Sequence, residues 1–305
     1  KRTGDVNPKR IRDGCTPLDI AAQEGRLEIC TFLIKYLDDK NPADDNGRTQ
    51  LHRAAYYGHV EICKFLFNNL DDAISRDIDG RTPIHMAAQE GHLEVCNFMF
   101  NHLDNKNPTD KYGLTPLHLA STWGHLEICA AIMTHLENKN PANDNAFKTP
   151  LHFAAFNGHL EICRLLIDNV DDKNPALNDG RTPLHLAASK GHLEICKVLM
   201  ENLDNKNPGD NDGVTPLHQA TIKGHLDVCK EIIQYLHDVN PRDNNGWTPL
   251  HCASYGGYLE LCEFISKNTE DLNPFTNDGK TPIYFANERN HRAVVSLLRL
   301  AQIKN

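Results

Sequence analysis

The stretch Thr182-Pro-Leu-His-Leu-Ala-Ala-Ser-Lys-Gly-His-Leu-Glu-Ile-Cys196 returns in similar copies along the whole 305-residue chain. The threonine that opens it recurs every 33 residues, with one interval of 34, at Thr16, Thr49, Thr82, Thr115, Thr149, Thr182, Thr215, Thr248 and Thr281. A fixed period of this size predicts a solenoid of stacked repeats. Nine copies are present, so function must be sought in the positions that differ between them.

Each copy carries the signals for two helices. Thr182 suits a helix N-cap and Pro183 the first helical position, while Gly191 suits the left-handed residue that ends a helix. His192 then opens a second segment whose apolar residues recur at helical spacing. The polar run at residues 204–213 is rich in turn formers. The repeat is therefore predicted to be a helix, a turn, a helix and a projecting finger.

The pattern Gly-x-Thr-Pro-Leu-His-x-Ala-Ala-x-x-Gly-His-Leu-Glu-Ile, nearly intact between Asn178 and Ile195, resembles the ankyrin repeat. The resemblance covers essentially the whole chain. It implies an all-α solenoid of stacked helix-turn-helix repeats with β-hairpin-like fingers, in which the fingers and first helices line a concave groove. It also implies a scaffold that binds other proteins and is not an enzyme.

The repeats are placed at residues 12–44, 45–77, 78–110, 111–144, 145–177, 178–210, 211–243 and 244–276, followed by a capping repeat at 277–305. Residues 1–11 are interpreted as the remnant of a preceding finger. Because the first residue is Lys1 and not methionine, we expect a fragment of a longer protein. Terminal repeats need polar outer faces, so the last segment should form a cap with the side chains of Arg292, Arg299, Gln302 and Lys304.

Composition narrows the class of partner. The net charge of −9 argues against nucleic acid, because a phosphate-binding surface normally shows a basic excess. No run of 18 apolar residues and no signal-peptide pattern occurs, so direct membrane insertion is not expected. Ten cysteines without a Cys-x-x-Cys pair favour free thiols in a reducing, intracellular setting; the cytoplasm is expected, and the nucleus stays open as an alternative.

Repeated cysteines and histidines have structural interpretations. Eight cysteines share one position in the second helix, a pattern compatible with a disulfide ladder, a zinc site, a redox sensor or simple burial. Stacked helices lie about 8 to 10 Å apart, which is too far for disulfides between neighbouring repeats, so burial is favoured. A histidine that appears in nearly every repeat is better suited to tying repeats together than to catalysis. We therefore predict neither a metal nor a cofactor.

Several positions depart from the family pattern. Asp19 and Arg26 replace histidines in the first repeat, and Gln50 replaces the proline in the second. Near the end of the second helix the usual glycine is replaced by an apolar residue, so the exit should use a left-handed Asn or Asp or a longer helix. The extra residue of the 34-residue interval falls near Phe147, which is either a recognition feature or a neutral variation.

Two sets of positions, here called the groove positions, should face the concave side: the residue before each motif threonine with its finger-tip neighbours, and the two residues before the glycine that ends the first helix. Tyrosine, tryptophan and arginine dominate protein interfaces. The predicted partner-binding residues are Arg48, Tyr56, Tyr57, Arg81, Trp123, Phe147, Lys148, Phe156, Arg181, Lys190, Lys223, Trp247 and Tyr255.

The aromatic members of this set would anchor a protein or peptide, and the basic members would favour an acidic or phosphorylated stretch. Two other functions stay open. The resemblance implies that finger asparagines can be substrates of an asparaginyl hydroxylase, here Asn41, Asn107, Asn140, Asn174, Asn207 or Asn240, although a proline follows each of them. Alternatively, the chain is a structural or elastic spacer within a channel or an adaptor protein.

Overall fold

The computed structural model describes residues 7–70, 74–144, 146 and 148–304, and this part of the chain contains eighteen α-helices and no strand. The helices come in pairs. The first helices are α1 (Pro17–Gln23), α3 (Gln50–Tyr56), α5 (Pro83–Glu90), α7 (Pro116–Trp123), α9 (Pro150–Asn157), α11 (Pro183–Lys190), α13 (Pro216–Lys223), α15 (Pro249–Gly256) and α17 (Pro282–Glu288). The second helices are α2 (Leu27–Ile34), α4 (Val60–Asn69), α6 (Leu93–His102), α8 (Leu126–Met133), α10 (Leu160–Ile167), α12 (Leu193–Glu201), α14 (Leu226–Ile233), α16 (Leu259–Asn268) and α18 (Arg292–Lys304).

The chain forms two compact units, Lys1–Pro150 and Leu151–Asn305. In the N-terminal unit, α1, α3, α5 and α7 contact one another in succession, and α2, α4, α6 and α8 do the same. The C-terminal unit repeats this arrangement, with first helices stacked from α11 to α17 and second helices from α10 to α18. These two rows of stacked helices confirm the predicted all-α solenoid.

The fingers are tight turns joined by single backbone bonds. The Asp77 carboxylate accepts from the backbone N–H groups of Asp79 and Arg81, both at 2.9 Å, which closes the turn. The N–H of Lys111 in the next finger then donates to the carbonyl of Asp79 at 2.9 Å. The conformation of each finger is therefore stabilised partly by a hydrogen bond to the neighbouring finger.

The histidine of the Thr-Pro-Leu-His motif links each repeat to the next. The Thr82 backbone N–H donates to Nδ1 of His85 at 3.0 Å, while Nε2 of the same ring lies 3.2 Å from the carbonyl of Leu114 in the next finger. A backbone N–H can only donate, so Nδ1 must accept and Nε2 must carry the proton. Burial holds the ring in this neutral form and lowers the pKa of His85 to about 4. The same pair of contacts occurs at His52, His118, His185, His218 and His251.

The second set of histidines links each repeat to the one before it. Nε2 of His125 lies 2.9 Å from the carbonyl of Gln89, near the end of the preceding first helix. His92 makes the same contact with Tyr56 at 2.8 Å. Both sets of histidines therefore tie repeats together, and the structural interpretation made from the sequence is confirmed.

The glycine that ends the first helix is needed for two reasons, which can be separated experimentally. Gly91 has a φ of +85°, and an added Cβ would lie 2.6 Å from Cε1 of His125. Gly279, a glycine of the last finger and not of a helix end, has a similar φ of +77° with nothing within 4 Å of its Cβ position. We expect Gly91→Ala to lower the free energy of unfolding by about 2 to 4 kcal/mol and Gly279→Ala by only about 1 to 2 kcal/mol. Equal losses in urea unfolding would show that the contact with the imidazole costs nothing.

The cysteines are part of the packed interior. All ten are free and buried, and the eight repeated ones have no exposed surface. Burial raises the pKa of the Cys63 and Cys96 thiols to about 12, which keeps them protonated and unreactive at neutral pH. The interpretation as buried apolar side chains is confirmed.

The ends of the second helices decide between the two predicted exits. Among the described residues the only non-glycine with positive φ is Asn290, so no second helix ends in a left-handed Asn or Asp. The helices α4 and α6 instead run for ten residues, and the buried Leu70 and Leu103 follow them in extended conformation. After α4 and α6 the apolar side chain that replaces glycine therefore packs inward, and the helix ends without a left-handed residue.

The last helix is a less polar cap than the sequence suggests. Arg292, Arg299 and Gln302 are exposed as expected, but so are Leu300 and Ile303, at 60% and 81%. The side chain of Lys304 lies outside the described part of the structure, as does Phe147. The outer face of α18 thus mixes charged and apolar groups.

Candidate functional site

The arginines at the groove positions are engaged with finger carboxylates. Arg48 lies 3.5 Å from Asp77 of the next finger, and Arg81 lies 3.5 Å from Asp110 in the same way. Arg181 pairs with Asp179 of its own finger at 2.7 Å. Each of these three positive charges is therefore neutralised by a nearby aspartate, and the groove is less basic than the number of its arginines suggests.

The lysines at the groove positions differ from the arginines. Lys190 and Lys223 are exposed, and Nζ of Lys190 lies 4.3 Å from the ring centroid of Phe156, in cation–π geometry. Lys148 is half-buried, and its carbonyl accepts from His118. Phe147, which the sequence placed beside it, lies outside the described residues.

The N-terminal unit brings three predicted residues together. Arg48, Tyr56 and Tyr57 line a cavity of about 340 Å³ with His52, Arg53, Met86 and Gln89. The rings of Tyr56 and Tyr57 meet edge to face with centroids 5.1 Å apart. Trp123 lies in the same unit and is 59% exposed, which leaves most of its indole available to a partner.

Beside this cavity lies a buried ionic cluster that sequence reasoning missed. Asp19 is fully buried and takes the place of the motif histidine, because its carboxylate accepts from the Thr16 backbone N–H at 2.8 Å. Its other oxygen lies 3.8 Å from Nε of Arg53, whose guanidinium also donates to Asp44 at 2.7 Å. Burial raises the pKa of Asp19. The cluster was signalled by Arg53, a charge at a position where most other repeats carry an apolar residue.

The C-terminal unit holds a larger cavity of about 710 Å³. Its aromatic wall contains Trp247 and Tyr255, whose ring centroids lie 5.8 Å apart. Trp247 also packs against Phe285 of the next repeat, with centroids 4.3 Å apart. Trp247 is therefore partly a packing residue between two repeats, whereas Tyr255 remains 38% exposed. The full lining is Val214, His218, Ile222, Asp243, Asn245, Trp247, Cys252, Tyr255, Gly256, Tyr258, Arg289 and His291.

Finger asparagines make structural bonds. The Oδ1 atoms of Asn107, Asn207 and Asn240 each accept, at 3.0 Å, from the backbone N–H of the leucine in the following motif. These bonds satisfy an N–H in the first turn of the next first helix, which has no partner within the helix. The asparagine side chain thus acts as a second cap for the following repeat.

Two kinds of site are absent from the described residues. In residues 7–70, 74–144, 146 and 148–304, no three His, Cys, Asp or Glu side chains are grouped so that they could hold a metal ion. Within the same ranges, no helix has both the length and the apolar character needed to span a membrane.

Comparison with known proteins identifies the repeat. The protein-family model described as ankyrin repeats (3 copies) matches residues 3–75, 68–144, 131–210, 151–243, 202–276 and 229–305, which together span nearly the whole chain. No curated protein matches the sequence.

Proposed function

Because the chain belongs to the ankyrin-repeat family, whose members generally act as protein-binding modules, we propose that it is a non-catalytic scaffold that binds a protein or peptide through its groove positions. The observation that carries this proposal is the exposure of large aromatic side chains there: 45% for Tyr57, 59% for Trp123 and 40% for Phe156. Such side chains are typical energetic anchors of interfaces. They gain most when a partner removes them from water.

The cavities support the same proposal. Each lies beside the groove positions of one unit, and each is lined by predicted residues together with backbone and polar groups. The C-terminal cavity is mainly apolar, as binding sites usually are. The N-terminal cavity is lined mostly by polar and charged side chains together with Tyr56 and Tyr57. An acidic or phosphorylated partner would be met by the exposed Lys190 and Lys223, since the arginines of the groove are already paired. The ten buried free thiols support a reducing, intracellular location, with the cytoplasm favoured.

The test is affinity capture from cell lysate followed by mass spectrometry. The wild-type chain is compared with the triple variant Tyr57→Ser, Trp123→Ser, Phe156→Ser. A matched control changes three aromatics outside the groove positions that are somewhat more exposed than the groove set, Phe32→Ser, Tyr36→Ser and Tyr235→Ser. We expect a partner that the wild type and the control retain and that the groove variant loses by at least about tenfold. Circular dichroism and urea unfolding establish that all three chains fold.

The capture experiment tests the spacer alternative, and a separate intact-mass measurement tests the hydroxylase alternative. A spacer would capture no partner in a manner that depends on the groove positions. A substrate of an asparaginyl hydroxylase would gain about 16 Da per modified finger asparagine in its intact mass after incubation with the enzyme. Equal retention by the groove variant and the wild type would contradict the proposed use of the groove.

A further inference from the structure

One repeat lacks a side chain at a groove position where every other repeat has one. The residue before the end of the first helix is Gly256 in the eighth repeat. In the other eight repeats this position carries a side chain: Glu24, Tyr57, Glu90, Trp123, Asn157, Lys190, Lys223 and Arg289. The 710 Å³ cavity includes Gly256 in its lining, so the missing side chain contributes to the space.

A second substitution accompanies the glycine. Tyr258 stands where most repeats have the histidine that opens the second helix, and its hydroxyl donates to the carbonyl of Ile222 at 3.3 Å. A Cβ on Gly256 would lie 2.3 Å from Cε2 of the Tyr258 ring, far inside contact distance. The tyrosine ring therefore needs the glycine, and the pair together shapes the cavity. Because Gly256 is helical and does not have a left-handed φ, this contact explains the glycine better than backbone conformation does.

The walls of this cavity are mainly apolar. Val214 and Ile222 contribute from the seventh repeat, and Trp247, Tyr255 and Tyr258 from the eighth. Trp247 is held in place by Phe285, so its indole is ordered before any partner arrives. A preformed apolar wall loses little conformational entropy on binding. The cavity therefore suits a bulky apolar group.

The charges that line the cavity differ in their availability. The Asp243 carboxylate accepts from the backbone N–H groups of Asn245 at 2.9 Å and Trp247 at 2.7 Å, so it is committed to the finger turn. Arg289 lies with its guanidinium carbon 4.1 Å from the ring centroid of Tyr255. Within the described part of the chain it makes no ion pair. The available charge at the cavity is thus a guanidinium positioned by stacking on an aromatic ring.

We propose that this cavity is the main specificity pocket of the chain. It receives a bulky apolar side chain, aromatic or leucine-like, from a linear peptide segment, and a carboxylate next to that side chain pairs with Arg289. The proposal rests on the function proposed above and narrows it to one pocket of the C-terminal unit. Gly256 acts as the residue that keeps the pocket open.

The first part of the test uses a phage-displayed library of random dodecapeptides, selected on the whole chain. We expect enrichment of sequences in which Phe, Tyr, Leu or Met stands beside Asp or Glu. The most enriched peptide is then synthesised with a fluorescein label, and its Kd is measured by fluorescence polarisation. Replacing its apolar residue by alanine, or its acid by the amide, should each weaken binding by about tenfold or more.

The second part uses variants of the protein. Arg289→Ala should weaken binding about tenfold, and Lys230→Ala, which removes an exposed cation of α14 outside the cavity lining and the groove positions, should have little effect. Gly256→Ala should weaken binding by displacing Tyr258. The double variant Gly256→Lys, Tyr258→His copies the arrangement of Lys190 and His192 in the sixth repeat. We therefore expect the double variant to fold normally, while the lysine side chain occupies the pocket and weakens peptide binding.

The outcomes separate this proposal from the broader one. Peptides that bind undiminished to the Gly256 and Arg289 variants, but lose binding to the variant of Tyr57, Trp123 and Phe156, would overturn the pocket and leave groove binding intact. Enrichment of peptides without an apolar and acidic pair would also overturn it. If the library yields no binder while lysate capture does depend on the groove, the partner is recognised as a folded surface and the pocket proposal is wrong. If the library yields no binder and lysate capture yields no partner that depends on the groove positions, both the pocket and the proposed binding function are wrong.

Discussion

Replacing Arg53 by leucine is expected to lower the free energy of unfolding by about 3 to 5 kcal/mol, because it leaves the fully buried Asp19 carboxylate without a cation. Leucine occupies the equivalent position in other repeats, at Leu119 and Leu186, so its shape is compatible with the stack. The loss should therefore reflect the uncompensated charge and not a packing defect. Urea unfolding at pH 7 measures it.

A second substitution should reverse most of the loss. Asp19→His in the Arg53→Leu background recreates the pair found in other repeats, with Nδ1 accepting from Thr16 and Nε2 reaching the carbonyl of Arg48, as His52 reaches Arg81. We expect recovery of at least about half of the lost free energy, with the remainder due to Asp44, which also loses its partner. A double variant no more stable than Arg53→Leu alone would show that the cluster is not a substitute for the histidine link.

Acid should weaken the stack well before the carboxylates are protonated. Burial lowers the pKa of His85, His118 and His251 to about 4, and it lowers the pKa of His52, His185 and His218 as well. An unfolded chain binds protons at these rings below about pH 6.5. The folded chain binds them only at lower pH, near pH 4 for His85, His118 and His251. Unfolding therefore takes up protons in this window, and the free energy of unfolding falls as the pH is lowered.

The effect of one ring can be isolated. A shift from 6.5 to about 4 corresponds to roughly 3 kcal/mol for His118 alone, fully present above pH 6.5 and lost towards pH 4. His118→Gln should be less stable than the wild type at pH 7 but should show a shallower decline between pH 6.5 and 5, by up to one proton. His237→Gln changes an exposed histidine and serves as the control. Parallel declines for the wild type and His118→Gln would exclude the buried ring as a cause.

The fold was predictable because each signal repeats. Thr115, Thr215 and Thr248 accept at the helix start as their position in the motif indicates, and the cysteines are buried as their single shared position suggests. A signal that recurs in nine repeats supports the same local structure nine times, so the prediction does not depend on any single residue. The sequence left two exits open for the second helix, because a replaced glycine shows what is missing and not what takes its place; the left-handed exit does not occur in the described residues, and α4 and α6 are longer helices.

The candidate site was predictable only in part. The sequence identified Trp247 and Tyr255, but not Phe285, Tyr258 or Arg289, which come from later positions and meet them in space. The pairing of Arg48 with Asp77 joins residues from different fingers, so the groove seemed more basic in sequence than it is. Two features of the sequence could have indicated these sites. The consecutive glycines at 256 and 257 mark the cavity, and Arg53, a charge at a repeat position that is apolar in most other repeats, marks the ionic cluster.

The two histidine links have a consequence for how the chain can grow. The contacts of His85 and His125 span 29 and 36 residues, and the other described contacts of these two kinds have the same separations except for one of 30 residues at His118. The entropy lost in closing a loop rises with the logarithm of its length. Since every closure is about one repeat long, that cost is the same for each repeat added and does not increase with the size of the protein. Repeats can therefore be gained or lost by duplication and deletion, and each event changes the free energy of folding by one constant increment.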